Sequence, residues 1–294
     1  MVSPLMTVPL PLPIPAIALD PHLQAWLQED LGRGDWTTFG LGTMAEKPGR
    51  AVWVAKAPGV IAGLPIAARV FQLLDAAIEF EAKVAEGTPC SAGTPIAHLT
   101  GPLNALLMGE RVALNLAMSL SGIATATREY VEAIADLPTQ LVDTRKTTPG
   151  LRQLQKYATR VGGALNHRLG LDDAIMLKDN HIAVAGGIQA AVAQVRRSVP
   201  YPLAIEVETT TLAEVDEALA CGVEIMMLDN MDLDTMQAAV QRIRQGNPTI
   251  KIEASGNVTL DTLRPMALTG VDYISSSAPI TRSPWLDLSM RIVR

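Results

Sequence analysis

The sequence is poor in aromatic residues and has no excess of positive charge. Aromatic residues make up only 4% of its 294 residues, whereas 48% are hydrophobic, so aliphatic side chains and methionine must fill the core. The 24 Lys and Arg residues are outnumbered by 30 Asp and Glu residues, for a formal net charge of −6. A general nucleic-acid binder needs a broad basic surface. The charge therefore argues against that class but allows a small cationic pocket for an anionic metabolite.

Cysteine and long apolar runs are also scarce. Cys90 and Cys221 lie far apart, in neither a metal-binding nor a redox spacing, which predicts two reduced thiols in a cytoplasmic protein. Residues 1–18 are apolar and rich in proline, with no Lys or Arg before the apolar part, which is unlike a signal peptide. No later apolar run is long enough to span a bilayer. We expect residues 1–18 to form an extended arm and the protein to have no membrane contact.

Residues 19–112 have the pattern of an α+β domain. A short helix is expected over residues 21–31, with an apolar face that includes Leu23, Trp26 and Leu27, and it should stop at Gly32. A second helix is expected over residues 64–77, between short strand-like stretches with Gly and Pro turns. A long helical pattern begins near Pro102, and its Ser121–Gly122 pair predicts a break.

Residues 113–283 repeat one plan, in which an apolar run of strand length is followed by polar residues and then by a helical stretch. The six runs are QLVDTRKT, AIMLKDNH, LAIEVETT, IMMLDN, IKIEASGN and YISSSA. This plan is typical of βα units in a parallel sheet, whose strands we expect to be apolar throughout. The segment is shorter than the roughly 250 residues of a full barrel. We therefore predict an incomplete parallel α/β barrel, with residues 284–294 returning to the first domain.

Every one of these runs ends in polar residues on its C-terminal side. The runs end, in chain order, in Asp143, Arg145 and Lys146; Lys178, Asp179 and Asn180; Glu206 and Glu208; Asp229 and Asn230; Glu253 and Ser255; and Ser275 to Ser277. In α/β barrels the C-terminal ends of the strands meet at one mouth, where the active site lies. Buried charges must be paired or bound to a ligand. We therefore expect cations and acids to meet there around an anionic ligand.

The chemistry of the cationic residues leaves alternatives open. Lys178 could reach solvent, form a Schiff base or bind an anion. Arg145 and Lys146 precede Thr148–Pro149, which we interpret as N-cap and first residue of a helix. They could therefore bind an anion at a helix N-terminus or only carry surface charge. His167–Arg168 follow a glycine pair, and the Arg fork suits a carboxylate or phosphate. A lone His is more often structural than catalytic, but His167 neighbours an Arg just before the next strand, so both roles stay open.

The acidic and small residues are equally ambiguous on chemistry alone. Glu208 and Asp229 end adjacent strands and could hold Mg²⁺ together with substrate phosphates. They could also be neutralised by a salt bridge to Lys146 or Lys178. Ser255–Gly256–Asn257 form a small-residue turn that could offer backbone amides to a phosphate. The residues thus predict a site for a small polyanion with Mg²⁺ and leave the reaction open.

Several stretches match the motifs of one known family. They are EDLGRGDWTT, GERVALNLAMSLSGIATAT, IEVE, MLDN, EASGNV and the long DTRKTTPGLRQLQKYATRVGGALNHRLGLDDAIMLKDNHI. From about Leu19 to the C-terminus the sequence thus resembles the quinolinate phosphoribosyltransferase family, also called nicotinate-nucleotide pyrophosphorylase (carboxylating). The resemblance implies an N-terminal α/β sandwich and an incomplete α/β barrel, in a homodimer or a hexamer of dimers. It implies transfer from phosphoribosyl pyrophosphate to quinolinate with Mg²⁺ and no organic cofactor, giving nicotinate mononucleotide, CO₂ and pyrophosphate.

The resemblance also implies a role for each polar residue of the mouth, position by position. The two quinolinate carboxylates would be bound by Arg145, His167, Arg168 and Lys178. Phosphoribosyl pyrophosphate would be served by the catalytic residues Lys146, Glu208 and Asp229, with the metal on Glu208 and Asp229. The 5-phosphate would be held by Ser255 and Gly256. The neighbouring subunit's site would be completed by Arg111.

One stretch departs from the family pattern, and three rival functions remain. In ISSSAPITRS, Ser277 stands where the family usually has Gly, Pro279 is added, and Arg282 replaces a His. We expect Ser277 to bind phosphate through its hydroxyl, since a Gly would instead let backbone approach the phosphate.

The rival functions are a paralogue with another anionic substrate, such as the molybdenum-transport-associated proteins, a Schiff-base aldolase using Lys178, and a regulatory barrel that binds anions without turnover.

Overall fold

The computed structural model describes residues 14–293, which form two compact units. Unit 1 contains the described residues up to Arg128, Gln153–Gly163 and the described residues from Ser283 onward. Unit 2 contains Glu129–Arg152 and Ala164–Arg282. The two units do not have the same bounds as the predicted domains, residues 19–112 and 113–283. The predicted domain boundaries therefore stay a prediction. Most of the predicted arm lies outside the described residues.

The elements alternate between strand and helix through most of the chain. The helices are α1 (Ala16–Leu31), α2 (Trp36–Gly40), α3 (Leu64–Leu74), α4 (Leu103–Ala133), α5 (Arg152–Gly162), α6 (Asp179–Ala185), α7 (Ile188–Ser198), α8 (Leu212–Cys221), α9 (Leu233–Gly246), α10 (Leu260–Ala267) and α11 (Ala278–Thr281). The strands are β1 (Pro48–Ala55), β2 (Gly59–Val60), β3 (Glu79–Ala82), β4 (Pro89–Cys90), β5 (Pro95–Pro102), β6 (Gln140–Val142), β7 (Ile175–Leu177), β8 (Ile205–Thr209), β9 (Ile225–Asp229), β10 (Lys251–Ser255), β11 (Tyr273–Ser275) and β12 (Leu288–Val293). Among residues 14–293, no helix combines the length and hydrophobicity needed to cross a bilayer.

Helix α1 starts earlier than the sequence indicated. It begins at Ala16 after an extended Pro15, so the last three residues of the predicted arm are helical. Its buried residues are Leu19, Leu23 and Leu27, which lie four apart and therefore on one face. The buried face therefore includes Leu19, which precedes the predicted helix, while the predicted face residue Trp26 is only half-buried.

Unit 1 is built on an antiparallel sheet of strand order β12-β1-β5-β3. The C-terminal strand β12 pairs antiparallel with β1, so the chain after Ser283 belongs to this sheet. Helix α4 runs unbroken through Ser121–Gly122, and the predicted break is wrong. The two small residues serve close packing instead. Ser121 Oγ accepts the amide of Ala62, and a Cβ on Gly122 would lie 2.0 Å from the carbonyl oxygen of Pro284.

Unit 2 contains a parallel sheet of six strands in the order β6-β11-β10-β9-β8-β7. All six apolar runs identified in the sequence are strands of this sheet. The first strand, β6, pairs with the last, β11, and Val142 also forms a parallel bridge to Leu165. The sheet therefore curls round, and among the described residues no pairing joins Leu165 to β7. This architecture confirms the predicted incomplete α/β barrel.

The strands of unit 2 alternate between two faces rather than being apolar throughout, so that expectation is wrong. One face packs against the helices and is apolar, with Ile205, Val207, Leu228, Ile252, Ala254 and Ile274 in the main core cluster. The intervening residues, which point the opposite way, are Glu206, Glu208, Asp229, Glu253 and Ser275. Four of these residues, Glu208, Asp229, Glu253 and Ser275, line a cavity, which accounts for polar side chains on this face of the sheet.

Candidate active site

A cavity of about 780 Å³ lies at the C-terminal ends of the strands of unit 2. It brings together ten of the eleven predicted site residues, namely Arg145, Lys146, His167, Arg168, Lys178, Glu208, Asp229, Ser255, Gly256 and Ser277. The eleventh, Arg111, lies on α4 in unit 1, is exposed, and has its guanidinium 3.8 Å from Glu110. The sequence therefore located the mouth of the barrel through the polar residues that end its strands.

The loop after β6 carries Arg145 and Lys146 into the cavity. The amide of Lys146 donates to Thr144 Oγ1 at 3.0 Å, which fixes a turn there. Helix α5 begins only at Arg152, since Gly150 has a φ of +82°, so the predicted helix start at Thr148–Pro149 is wrong. The two cations therefore do not sit at a helix N-terminus. Arg145 Nε is buried without a hydrogen-bond acceptor among the described residues.

A buried aspartate holds the next loop in place. Asp143 ends the run that contains β6, and its Oδ1 accepts the amide of His167 at 2.9 Å. Its Oδ2 accepts the side-chain amide of Asn166 at 2.7 Å. The carboxylate thus ties the chain before β7 to the end of β6 and sets where His167 and Arg168 lie. The sequence marked Asp143 as a strand-end acid but did not assign this role.

Arg168 is positioned by direct contacts with uncharged groups. Its Nη1 donates to the carbonyl of Ala174 at 3.0 Å, and its Nη2 lies 3.6 Å from Met176 Sδ. Burial, and then repulsion from Arg145, lower the pKa of the Arg168 guanidinium, while Glu206 acts in the opposite direction. Two guanidinium groups close enough to repel each other favour an anion between them.

Lys178 and Glu208 form an ion pair across neighbouring strands. Lys178 Nζ lies 2.8 Å from Glu208 Oε2, and the Lys178 side chain keeps 44% of its exposure while that of Glu208 keeps 13%. Of the roles that the sequence allows for Glu208, the salt bridge to Lys178 is therefore present. Because the pair lines the cavity, an incoming anion can compete for the lysine and a cation for the carboxylate.

Two further glutamates lie close to His167, and the site predictions missed them. Glu206 Oε2 is 3.1 Å and Glu253 Oε2 is 3.5 Å from His167 Nε2. Both carboxylates are almost fully buried, and the Oε1 atom of each has no hydrogen-bond partner in the described residues. Burial first, and then repulsion from Glu206, raise the pKa of the Glu253 carboxyl to about 7. The alternation of polar and apolar residues in β8 and β10 was the signal that could have found them.

The loops after β9 and β10 pack backbone against backbone at the cavity edge. The amide of Asn230 donates to the carbonyl of Ser255 at 3.0 Å. Gly256 has a φ of +101°, and a Cβ there would lie 2.2 Å from Asn230 Oδ1, so only glycine fits. This close approach exposes the Ser255–Asn257 turn to the cavity beside Asp229.

The stretch that departs from the family pattern also reaches the cavity. Ser277 precedes α11 with a φ of −91°, which any residue adopts, so its replacement of Gly costs no backbone strain. Arg282 lines the cavity as well. The sequence noted Arg282 only as a departure, so this additional cation was missed as a site residue.

Comparison with known proteins identifies relatives of the whole chain. Residues 35–121 match the family model for the quinolinate phosphoribosyl transferase N-terminal domain, and residues 123–291 match that for the C-terminal domain. A probable nicotinate-nucleotide pyrophosphorylase (carboxylating) of Synechocystis is 65% identical over 292 residues, covering 99% of this chain and 98% of the relative. The human nicotinate-nucleotide pyrophosphorylase (carboxylating) is 35% identical, covering 96% and 94%. The crystal structure of NadC from Streptococcus pyogenes superposes with a TM-score of 0.90 at 41% identity, covering 95% and 98%.

Proposed function

Because this chain belongs to the quinolinate phosphoribosyl transferase family, we propose that it makes nicotinate mononucleotide for NAD biosynthesis. The reaction transfers the phosphoribosyl group of phosphoribosyl pyrophosphate to quinolinate and releases CO₂ and pyrophosphate. Relatives covering nearly the whole chain are named as carboxylating nicotinate-nucleotide pyrophosphorylases. The observation that carries the proposal is the cavity of unit 2, which is lined by the cationic residues Arg145, Lys146, Arg168, Lys178 and Arg282.

The quinolinate end of this cavity is the cationic one. Arg145 and Arg168 repel each other, and Arg145 Nε has no acceptor among the described residues, so a dianion between them would satisfy both groups. Lys178 would reach the second carboxylate by exchanging its contact with Glu208. His167 holds this end together, because its Nδ1 accepts the amide of Arg168 at 2.7 Å. These contacts support quinolinate as the anion.

The phosphoribosyl end is formed by the loops after β6, β9 and β10. Lys146 would contact the pyrophosphate, and the Ser255–Gly256 turn would take the 5-phosphate through its backbone amides. Ser277 and Arg282 border the same space. Asn230 and Asn257 both have positive φ values, which shape these loops to follow a ligand closely.

The residues present fit a magnesium ion. Glu208 and Asp229 end neighbouring strands, and both line the cavity, which gives two carboxylates beside the space for the phosphates. Mg²⁺ typically takes one or two carboxylates together with substrate phosphates. When bound, the ion would neutralise charge on the pyrophosphate that leaves. Glu208 would then exchange its contact with Lys178 for the metal, which frees the lysine for the substrate.

Catalysis then needs positioning and charge but no protein nucleophile. The ring nitrogen of quinolinate displaces pyrophosphate at C1 of the ribose, and positive charge develops on the sugar as the bond breaks. Glu208 and Asp229 stabilise that charge electrostatically. Holding the two substrates together supplies the entropic part of the rate enhancement. The Lys178 amine lies 2.8 Å from Glu208 Oε2, and this mechanism uses it to bind a carboxylate and not to form a Schiff base.

We also place the active enzyme in the cytoplasm as a homo-oligomer with shared sites. Cys90 and Cys221 are both free thiols, as expected in a reducing compartment. The exposed Arg111 would enter the site of a neighbouring subunit, in a dimer or a hexamer of dimers. The guanidinium of Arg111 is exposed and lies 3.8 Å from the carboxylate of Glu110, so it is available for that contact.

The first test is turnover of the purified protein. With Mg²⁺ and phosphoribosyl pyrophosphate, we expect CO₂ and nicotinate mononucleotide from quinolinate and no mononucleotide from nicotinate. The cation cluster would then act as a clamp for two carboxylates. Folded protein that turns over neither substrate would contradict the proposal and favour a paralogue with another anionic substrate. Binding of quinolinate without turnover would favour a regulatory role.

A further inference from the structure

The proposed reaction consumes one proton, which is delivered to C2 of the pyridine ring. Loss of the 2-carboxylate of the quinolinate mononucleotide as CO₂ leaves an electron pair on C2, whereas nicotinate mononucleotide carries a hydrogen there. The donor must lie beside the quinolinate clamp and must hold a proton while the substrate carboxylates are ionised. Arginine does not release its proton in proteins. Arg145 and Arg168 therefore cannot supply it.

The floor of the cavity holds the candidate group. Glu206 on β8 and Glu253 on β10 point to the same histidine, at 3.1 Å and 3.5 Å from His167 Nε2. Their side chains keep 2% and 5% of their exposure. Each has an Oε1 atom that meets no partner among the described residues, although buried polar atoms are normally bonded. Glu253 lines the cavity together with His167 and Arg168.

The geometry indicates which of the two glutamates holds a proton. His167 Nδ1 accepts the amide of Arg168, so the ring proton lies on Nε2 and points to the carboxylates. Glu206 is the nearer acceptor, and Glu253 is left with the longer contact. Two buried carboxylates beside a dianionic substrate are not both ionised without a large cost. One proton on the pair removes this repulsion, and Glu253 is the member with the weaker contact.

The groups that face Glu253 agree with this assignment. Glu206 opposes its ionisation, while His167, the hydroxyl of Ser275 and, more weakly, Lys178 favour it. Its register neighbours on β9 and β11 are Met227 and Tyr273, neither of which is a cation. Burial is the largest influence, and the net result is a carboxyl whose pKa is raised well above the usual value.

We propose that Glu253, as a neutral carboxylic acid, is the catalytic proton donor to C2 in the decarboxylation; this rests on the proposed function. The bond between C2 and its carboxylate breaks, CO₂ leaves, and the electron pair stays on C2. That pair forms a C–H bond with the carboxyl proton of Glu253, whose O–H bond breaks to leave a carboxylate. Water then returns a proton to Glu253 after product release, so each turnover consumes one proton at this residue.

The test separates decarboxylation from phosphoribosyl transfer. In a single turnover with quinolinate labelled at its 2-carboxylate, the wild-type protein should release CO₂ and pyrophosphate in equal amounts. Glu253→Gln keeps the shape and removes the proton. We expect its rate of CO₂ release to fall at least about tenfold, while pyrophosphate release and quinolinate affinity change less than about threefold. Glu129→Gln, at an exposed position of α4, is the matched control and should change neither rate.

The pH profile gives an independent readout that does not depend on the variant. Because the active form is the protonated one, the wild-type rate of CO₂ release should fall as the pH rises through about 7, and the rate in Glu253→Gln should not. Normal CO₂ release by Glu253→Gln, or a wild-type CO₂-release rate unchanged between acid and alkaline pH, would overturn the assignment and leave the proposed function intact. Absence of pyrophosphate release from the wild-type protein would instead reject the proposed function.

Discussion

At the scale of single residues, Arg168 shows how the chain prepares a cation for a ligand. Its guanidinium is held by a backbone carbonyl and a thioether, neither of which is charged. The backbone of the same residue donates to His167, which is itself fixed by Asp143. The side chain is therefore oriented before substrate arrives, and little conformational entropy is lost on binding.

We expect Arg168→Ala to weaken quinolinate binding at least tenfold, because a charged hydrogen-bonded contact contributes about 1.5–3 kcal/mol. Isothermal titration calorimetry measures this directly. Arg197→Ala, which removes an exposed guanidinium on α7, should leave the affinity unchanged. Equal affinities for wild type and Arg168→Ala would remove this residue from the clamp.

The residues that the sequence found and those it missed differ in one physical respect. The change from apolar to polar side chains that ends an apolar run can be seen in the sequence alone, and it marks Lys178, Asp229 and Ser255. The sequence also shows that Glu206 and Glu253 are acids in buried runs, but it does not show what role either has in the site. Only the fold shows that both point to His167, since that contact joins β8, β10 and the loop before β7.

At the scale of elements, α4 depends on one glycine whose role is packing. The helix continues for 31 residues because nothing in its backbone hydrogen bonding requires a break at Ser121–Gly122. The glycine leaves room for the segment that leads into β12. Glycine weakens helices, so in sequence Gly122 resembles a helix boundary, and its packing role becomes visible only from the position of Pro284.

Gly122→Ala should destabilise the protein by about 1–3 kcal/mol, because the new Cβ would lie 2.0 Å from a backbone oxygen that cannot rotate away. The thermal unfolding midpoint should fall by several degrees. Gly40→Ala is the control, since its Cβ would meet nothing within 4 Å and its stability effect should stay within about 0.5–1 kcal/mol. Identical midpoints for Gly122→Ala and wild type would refute the packing role.

Element boundaries were harder to predict than element identity. All six strands of unit 2 lie within the predicted runs, since hydrophobic runs between Gly and Pro turns are strong signals. The start of α5 was placed too early, because a Thr-Pro pair is typical of a helix start while the conformation of Gly150 is invisible in sequence. The predicted start of α1 was too late, because the first residues of this helix are apolar like the proline-rich stretch before them.

At the scale of the whole molecule, the proposed sharing of sites can be tested by mixing chains. In a heterodimer of Arg111→Ala and Lys146→Ala chains, one of the two sites would carry neither change. We therefore expect about half of the wild-type activity from chains that are inactive alone. Heterodimers of Arg145→Ala and Lys146→Ala are the control, because both of their sites stay damaged. Proven heterodimers of the first kind with no activity would rule out the shared site.

The pairing of β12 with β1 has a consequence for how the protein is made. On the ribosome, β1 emerges long before the strand that completes its sheet, and the whole strand set of unit 2 is synthesised in between. Unit 1 must therefore wait with an open sheet edge, which is a known starting point for aggregation. Slow translation of the segment that encodes β12 would therefore prolong the exposure of β1 and not that of the strands of unit 2.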